Sequence, residues 1–250
     1  MKKCWFALIT SLCCTYVHAA DSVAPNDAAI QVLRTASPIV IDGVAEATWQ
    51  QAQWWPMPYL MDGSMPLPND FSGRYKLLWD KQYLYLQAEI VDDVIIDKIA
   101  DPLDRYWDDD CLEIFIDSDA SGGIHQYNHS AFAYHIGIDN QAADIGPDKK
   151  AHLYTEHLQS RWQRSNTHPH KIIWEVAIKL YANDYQEGIS NTPLILQPED
   201  IIGFMLAYCD NDGSDIREHF VGSHDITPVE GSKNRGYIDA NVFGKIVLLP

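Results

Sequence analysis

An all-β chain, folded as an antiparallel β-sandwich of two packed, jelly-roll-like sheets with very little helix, is predicted by three features. Apolar residues alternate with a period of two, the connections are rich in Asp, Asn, Gly and Pro, and only one short stretch carries a helical pattern. Taken in chain order, that stretch is Ala45 to Ala52, too short to form a layer and suited to docking Trp49. From Gly73 to Trp79, Tyr75, Leu77 and Trp79 alternate with Arg74 and Lys76. From Tyr83 to Val91, Leu84, Leu86, Ala88 and Ile90 fall on one side and Tyr83, Tyr85, Gln87 and Glu89 on the other. With Asp80-Lys81-Gln82 as the turn, these two runs predict a hairpin. Further strands are expected at Cys111 to Asp117, Ala131 to Ile138, His152 to His157, Ile172 to Lys179, Ile201 to Cys209 and Phe243 to Leu249. Many short strands with turn chemistry between them close into sandwiches or barrels. The long connections, 54–71, 92–107, 137–150 and 222–237, are where a rigid β scaffold usually carries its binding residues.

Composition bounds the rest. The 250 residues are 46% apolar and 11% aromatic, which suits one packed domain and excludes a disordered chain. A formal net charge of −17 repels nucleic acid, so that class of partner is excluded. Lys2 and Lys3, the apolar run from Trp5 to Val17, and the small residues after His18 form a secretory signal over 1–19, cleaved near Ala19. A short leader over 20–31 and a single domain over 32–250 are expected to follow, with no attached enzyme domain. The protein is therefore expected to be exported, periplasmic or extracellular, without membrane insertion. No lipid anchor is expected either, because Thr10 and Ser11 stand where a lipoprotein signal wants Leu. Cys4, Cys13 and Cys14 leave with the signal. Cys111 and Cys209 remain in an oxidising space, as one disulfide or as two separate buried thiols.

Chemistry-bearing clusters are few. Tyr106-Trp107-Asp108-Asp109-Asp110-Cys111-Leu112-Glu113 brings an aromatic face and carboxylates to the mouth of a strand. A Trp face matches the CH face of a pyranose, and a carboxylate accepts from two neighbouring hydroxyls; the same residues also read as a solvated turn beside a core Trp. Asn234-Arg235-Gly236-Tyr237 is a second cluster, and alone it says little. Asp210-Asn211-Asp212-Gly213 lacks the third ligand and the distal Glu of an EF-hand, so a hairpin turn is the simpler reading. A structural Ca2+ would draw on Asp210 and Asp212 or on Asp117 and Asp119. No Gly-x-Ser-x-Gly elbow or HExxH motif occurs, and a non-catalytic role is expected.

Six ordered blocks carry a resemblance. They are Ile41-Asp42-Gly43 with Glu46 and Trp49; Leu78-Trp79-Asp80 with Tyr83-Leu84-Tyr85; Trp107, Asp110 and Glu113-Ile114-Phe115-Ile116-Asp117; Trp174-Glu175-Val176-Ala177-Ile178; Ile202-Gly203-Phe204; and Phe243-Gly244. From about residue 32 onward the chain resembles the family 9 carbohydrate-binding modules. That resemblance implies a β-sandwich, structural calcium in some members, and a slot in which two aromatic rings clamp the end of a sugar chain. It places the rings at Trp107 and Tyr237, where Tyr replaces the family's Trp, and the hydroxyl contacts at Glu113, Asp110 and Asn234. The family's Arg and Gln fall near Ala133 and Ala207, which cannot hydrogen-bond a hydroxyl, with Tyr106, His135 or Tyr208 as replacements. Strand parity puts Cys111 on the side of Glu113 and Cys209 on the side of Ala207, close enough for a bridge. The implied partner is the end of an oligosaccharide or polysaccharide, delivered to a separate glycoside hydrolase. Two alternatives are a haem b electron-transfer domain using Met205, and a protein-interaction scaffold with a vestigial sugar site.

Overall fold

The computed structural model describes residues 28–250. The expected signal segment, 1–19, lies outside the described residues, as does most of the 20–31 leader. Fourteen strands follow in chain order: β1 (Ile30–Arg34), β2 (Trp55–Pro56), β3 (Tyr59–Gly63), β4 (Phe71–Trp79), β5 (Leu84–Asp92), β6 (Cys111–Asp117) and β7 (Phe132–Gly137). They continue with β8 (Ala142–Ile145), β9 (Ala151–Leu153), β10 (Leu158–Arg164), β11 (Lys171–Ile178), β12 (Ile201–Asp210), β13 (His219–Gly222) and β14 (Gly244–Leu248).

The alternation read in the sequence sets which face each strand buries. Leu84, Leu86, Ala88 and Ile90 of β5, Leu112, Ile114 and Ile116 of β6, and Ile202, Phe204, Leu206 and Tyr208 of β12 all enter one apolar core. One sheet orders β10-β11-β5-β4, and the other runs β14-β12-β6-β7-β8-β9 with β13 and β3 attached. Neighbouring strands pair antiparallel except β1, which pairs parallel with β14 through Ile30–Val32 and with β4 through Leu33 and Arg34. The expected leader thus contributes Ile30 and Gln31 to the strand that joins the two sheets.

Two smaller apolar layers lie outside this core. Trp49, Ile39, Leu78, Tyr85 and Ala177 form one, under a 3-10 turn at Ala47–Gln51 that occupies the expected helical stretch. Its anchor is the buried Glu175 carboxylate, which accepts from Trp49 Nε1 at 2.9 Å and from Gly43 N at 3.0 Å. The other layer covers the outer face of β6, β7 and β12 with Cys111, Phe115, Ala133, Met205, Ala207 and Cys209, and Tyr237 packs against it.

The connections hold more structure than their composition suggests. Residues 54–71 contain β2 and β3, and 137–150 contain β8. The strand expected over His152 to His157 stops at Leu153 and continues as a 3-10 turn, Thr155–His157, which buries His157.

Candidate functional site

The outer face of β6 and β7 forms the floor of a cavity of about 540 Å3, within the range of small-molecule sites. Glu113, buried on β6, has its Oε1 2.8 Å from His135 Nε2, its register partner on β7. The other ring nitrogen of His135 lies 3.0 Å from Ala133 O, so both nitrogens can donate. Burial works against a charged ring, and the Glu113 carboxylate outweighs it, leaving the His135 pKa raised.

Two aromatic side chains reach the cavity from distant segments. Trp107, 40% exposed, sits in the β5–β6 connection, edge-on to Tyr106, which is in turn edge-on to His135. Tyr237 arrives from the β13–β14 connection. Gly236 lets that segment lie close to the sheet, since a Cβ there would stand 2.4 Å from Phe115 Cε1 and 2.7 Å from Met205 Cε. His125 Nε2 donates to Gly236 O at 2.7 Å and fixes the approach. Asn234 lines the same cavity, with Gln126, Tyr127 and Asp62.

A cation that sequence reasoning missed completes the wall. Arg217, in the β12–β13 turn, donates from Nη1 to Cys209 Sγ at 3.3 Å and lies 4.0 Å above the Phe220 ring. Its Nη2 is 3.6 Å from Asp62 Oδ2. The signal is faint in sequence, because it depends on β13 pairing with both β12 and β3. Ala133 and Ala207 lie in the layer beneath, as parity required. Tyr106 and His135 line the cavity in their stead.

Of the five residues assigned to the sugar contact, Trp107, Tyr237, Glu113 and Asn234 come together here, and Asp110 does not line the cavity. It shares parity with Leu112 and Ile114, so it points toward the inter-sheet side, where its oxygens accept from Ile96 N at 2.6 Å and Asn211 N at 2.9 Å. Tyr208 has the same parity. It is fully buried, stacks on Phe71 and donates to Asp92 Oδ2, and so cannot stand in for either alanine position.

Cys111 and Cys209 are direct cross-strand partners, both buried and both free thiols, so the expected shared side is met without a bridge. Burial opposes a charged Cys209, but the Cys111 thiol and the Arg217 guanidinium outweigh it and hold its pKa below the usual thiol range. Met205, the ligand required by a haem alternative, is wholly buried in the apolar layer.

The calcium candidates separate into two kinds. Asp117 accepts from Gly122 N at 2.7 Å and Asp119 accepts from Asn183 Nδ2 at 2.8 Å. Neither joins a cluster of three metal-ligating groups among the described residues. Asp210 does, with Asp92 and Asp110, and Asp212 does, with Asp70 and Asp93. In the first cluster both Asp210 oxygens and Asp92 Oδ1 are buried with no hydrogen-bond partner. Burial, with Asp92 nearby, pushes Asp110 up to about 9 and Asp210 up to about 8. An all-oxygen set with orphaned carboxylate oxygens fits a hard divalent cation.

Comparison with known proteins bears on the fold and the family. Xylanase A of Thermotoga maritima is 23% identical over 212 residues, 84% of this chain. Xylanase C of Paenibacillus barcinonensis is 26% identical over 110 residues, 44% of it. The chain spans 17% and 9% of the length of those enzymes. A family 9 carbohydrate-binding module from Caldicellulosiruptor kristjanssonii, solved with cellotriose, superposes with a TM-score of 0.63 at 20% identity, covering 89% of this chain and 94% of that one. Its glucose complex gives 0.62 at 18% identity, with 87% and 95% covered. A carbohydrate-binding protein described as putative, from Bacteroides uniformis, gives 0.53 at 12% identity over 88% and 97%. The model of the carbohydrate family 9 binding domain-like family matches residues 41–249, and the chain belongs to that family.

Proposed function

We propose that the protein is an exported, non-catalytic module that holds the end of an oligosaccharide or polysaccharide between Trp107 and Tyr237. The observation that carries this reading is that these two side chains, from connections far apart in sequence, line one cavity whose floor carries Glu113 and whose wall carries Asn234. Aromatic rings from two separate connections offer apolar surfaces suited to the CH faces of a pyranose, and an amide and a carboxylate can select its hydroxyls. Arg217 and His135 supply cationic donors where Ala133 and Ala207 offer none. The sugars bound by the related modules make glucose and cellotriose the first ligands to try, and the xylanase relatives point to a separate glycoside hydrolase as working partner. The basic and apolar composition of residues 1–19 supports export to the periplasm or beyond.

The test is titration calorimetry of the wild type and Trp107→Ala against glucose, cellotriose and xylotriose. Micromolar to millimolar binding is expected, weakened about 10-fold by loss of one stacking face, roughly 1.4 kcal/mol. Silence of the wild type across the panel refutes the sugar reading and leaves the scaffold.

A further inference from the structure

We infer that Cys111 and Cys209 are a redox-active pair: a peroxide joins them in a cross-strand disulfide, and the bridge frees Arg217 for the ligand of the cavity. These are the two cysteines among the described residues, both of them buried thiols. They face each other directly in the antiparallel ladder of β6 and β12, in the layer that also holds Phe115 and Ala207. Directly opposed residues of such a ladder stand about 4.5–5.5 Å apart at Cα, inside the roughly 4.4–6.8 Å that a disulfide spans, so bridging needs no change of register.

The surroundings give the two sulfurs different roles. Arg217 Nη1 donates to Cys209 Sγ at 3.3 Å, and the same sulfur lies 3.9 Å from Glu113 Oε2. A cysteine that only fills space in an apolar layer, as Ala133 and Ala207 do, has no use for a buried guanidinium. Against its burial, the Cys111 thiol and this guanidinium hold Cys209 below the usual thiol range, whereas burial and the neighbouring Cys209 push Cys111 up. Cys209 is thus the attacking sulfur and Cys111 the resolving one. Arg217 and Glu113 both line the cavity, so Cys209 lies one side chain behind its surface, within reach of a reagent nearly as small as water. The Cys209 sulfur attacks one oxygen of hydrogen peroxide, the O–O bond breaks, and the departing hydroxide takes up the Cys209 proton as water. The Cys111 sulfur then displaces the oxygen of the sulfenic acid, which leaves with the Cys111 proton as a second water. Two electrons pass from the two thiols to one peroxide.

The bridge changes what Arg217 can bind. A disulfide sulfur carries no charge and is a weak acceptor, so Nη1 loses its partner. The Phe220 ring 4.0 Å away and the bond from Arg217 N to Asp108 keep the residue at the wall, where the released donor becomes available to a hydroxyl in the cavity. Oxidation therefore strengthens sugar binding, a step that rests on the sugar reading.

The experiment compares protein kept in a phosphine reductant with protein treated with hydrogen peroxide and then catalase. Peptide mapping should find Cys111 joined to Cys209 in the treated sample, with Tm raised by about 5–10 °C. In Cys111→Ala the sulfenic acid on Cys209 has no resolving thiol and should be trapped by dimedone, whereas Cys111 in Cys209→Ala should stay reduced. Absence of the link, or a sulfenic acid trapped on Cys111 and not on Cys209, overturns the pair. Calorimetry with cellotriose should give roughly 5–10-fold tighter binding to the bridged form, and no difference between the two forms in Arg217→Gln. Equal affinity of the two wild-type forms overturns the release of Arg217. A link with no cellotriose binding in either form refutes the sugar reading and leaves the thiol pair standing.

Discussion

His135→Gln is the substitution that most directly probes the floor of the cavity. In the native protein Glu113 Oε1 and His135 Nε2 are 2.8 Å apart, with the two side chains only 2% and 6% exposed. Removing one partner of such a buried pair strands the other charge, at a cost of about 3–5 kcal/mol. Here the cost belongs at the lower end, about 3 kcal/mol, because Arg217 also faces the Glu113 carboxylate. For a domain of this size that is a fall in Tm of about 6–12 °C. Neutralising both partners, Glu113→Gln with His135→Gln, should restore stability to within about 1 kcal/mol, since a buried pair contributes little beyond its own desolvation. The pH dependence has a definite sign. The folded-state pKa of His135 is raised above 6.5, with Glu113, Cys209 and Asp144 favouring the charged ring against its burial. Its contribution is therefore complete below about 6.5 and fades as pH climbs through the raised value, so the gap between wild type and His135→Gln should narrow in the same direction. Urea unfolding from pH 5 to 9 measures it. A single variant within 1 kcal/mol of wild type at pH 6, or a double variant no better than the single, refutes the reasoning.

Gly236→Ala should lower sugar affinity about 10-fold and cost about 1–3 kcal/mol of stability, because the added methyl meets Phe115 and Met205 and pushes the Tyr237 segment off the sheet; calorimetry beside a melting curve measures the two effects separately. Glu175→Ala strips the acceptor from Trp49 Nε1 and Gly43 N and should cost about 2–4 kcal/mol, with early proteolytic cleavage within 39–52; native-like resistance of that segment would contradict the anchoring role.

The long strands were legible because apolar residues recur at their inward positions, although both faces of β6 and of β12 beyond its first residue are buried. Cys111–Asp117 matches its expected span at both ends, and Ile201–Asp210 exceeds its own by one residue. The missed strands hide their pattern. In Leu158–Arg164 an inward position is held by Ser160, buried only because it accepts from Trp174 Nε1 and donates to Asn140. Tyr59–Gly63 and His219–Gly222 are short and find their partners across long sequence separations. In the site, Trp107, Glu113, Asn234 and Tyr237 came from family resemblance rather than periodicity. Asp110 was misplaced although its parity with Leu112 already pointed inward. Arg217 was out of reach, because its place depends on a three-strand register and on the aromatic ring of Phe220 beneath it.

The parallel pairing of β1 with β14 has a mechanical consequence. Tension entering ahead of Ile30 and leaving beyond Leu248 drags the two neighbours lengthwise in opposite senses, so their three register pairs share the load together instead of unzipping one by one. Because β1 is stitched to β4 as well, slippage there would split the sandwich along its seam. Tension between the two ends of the domain thus loads it along its toughest axis.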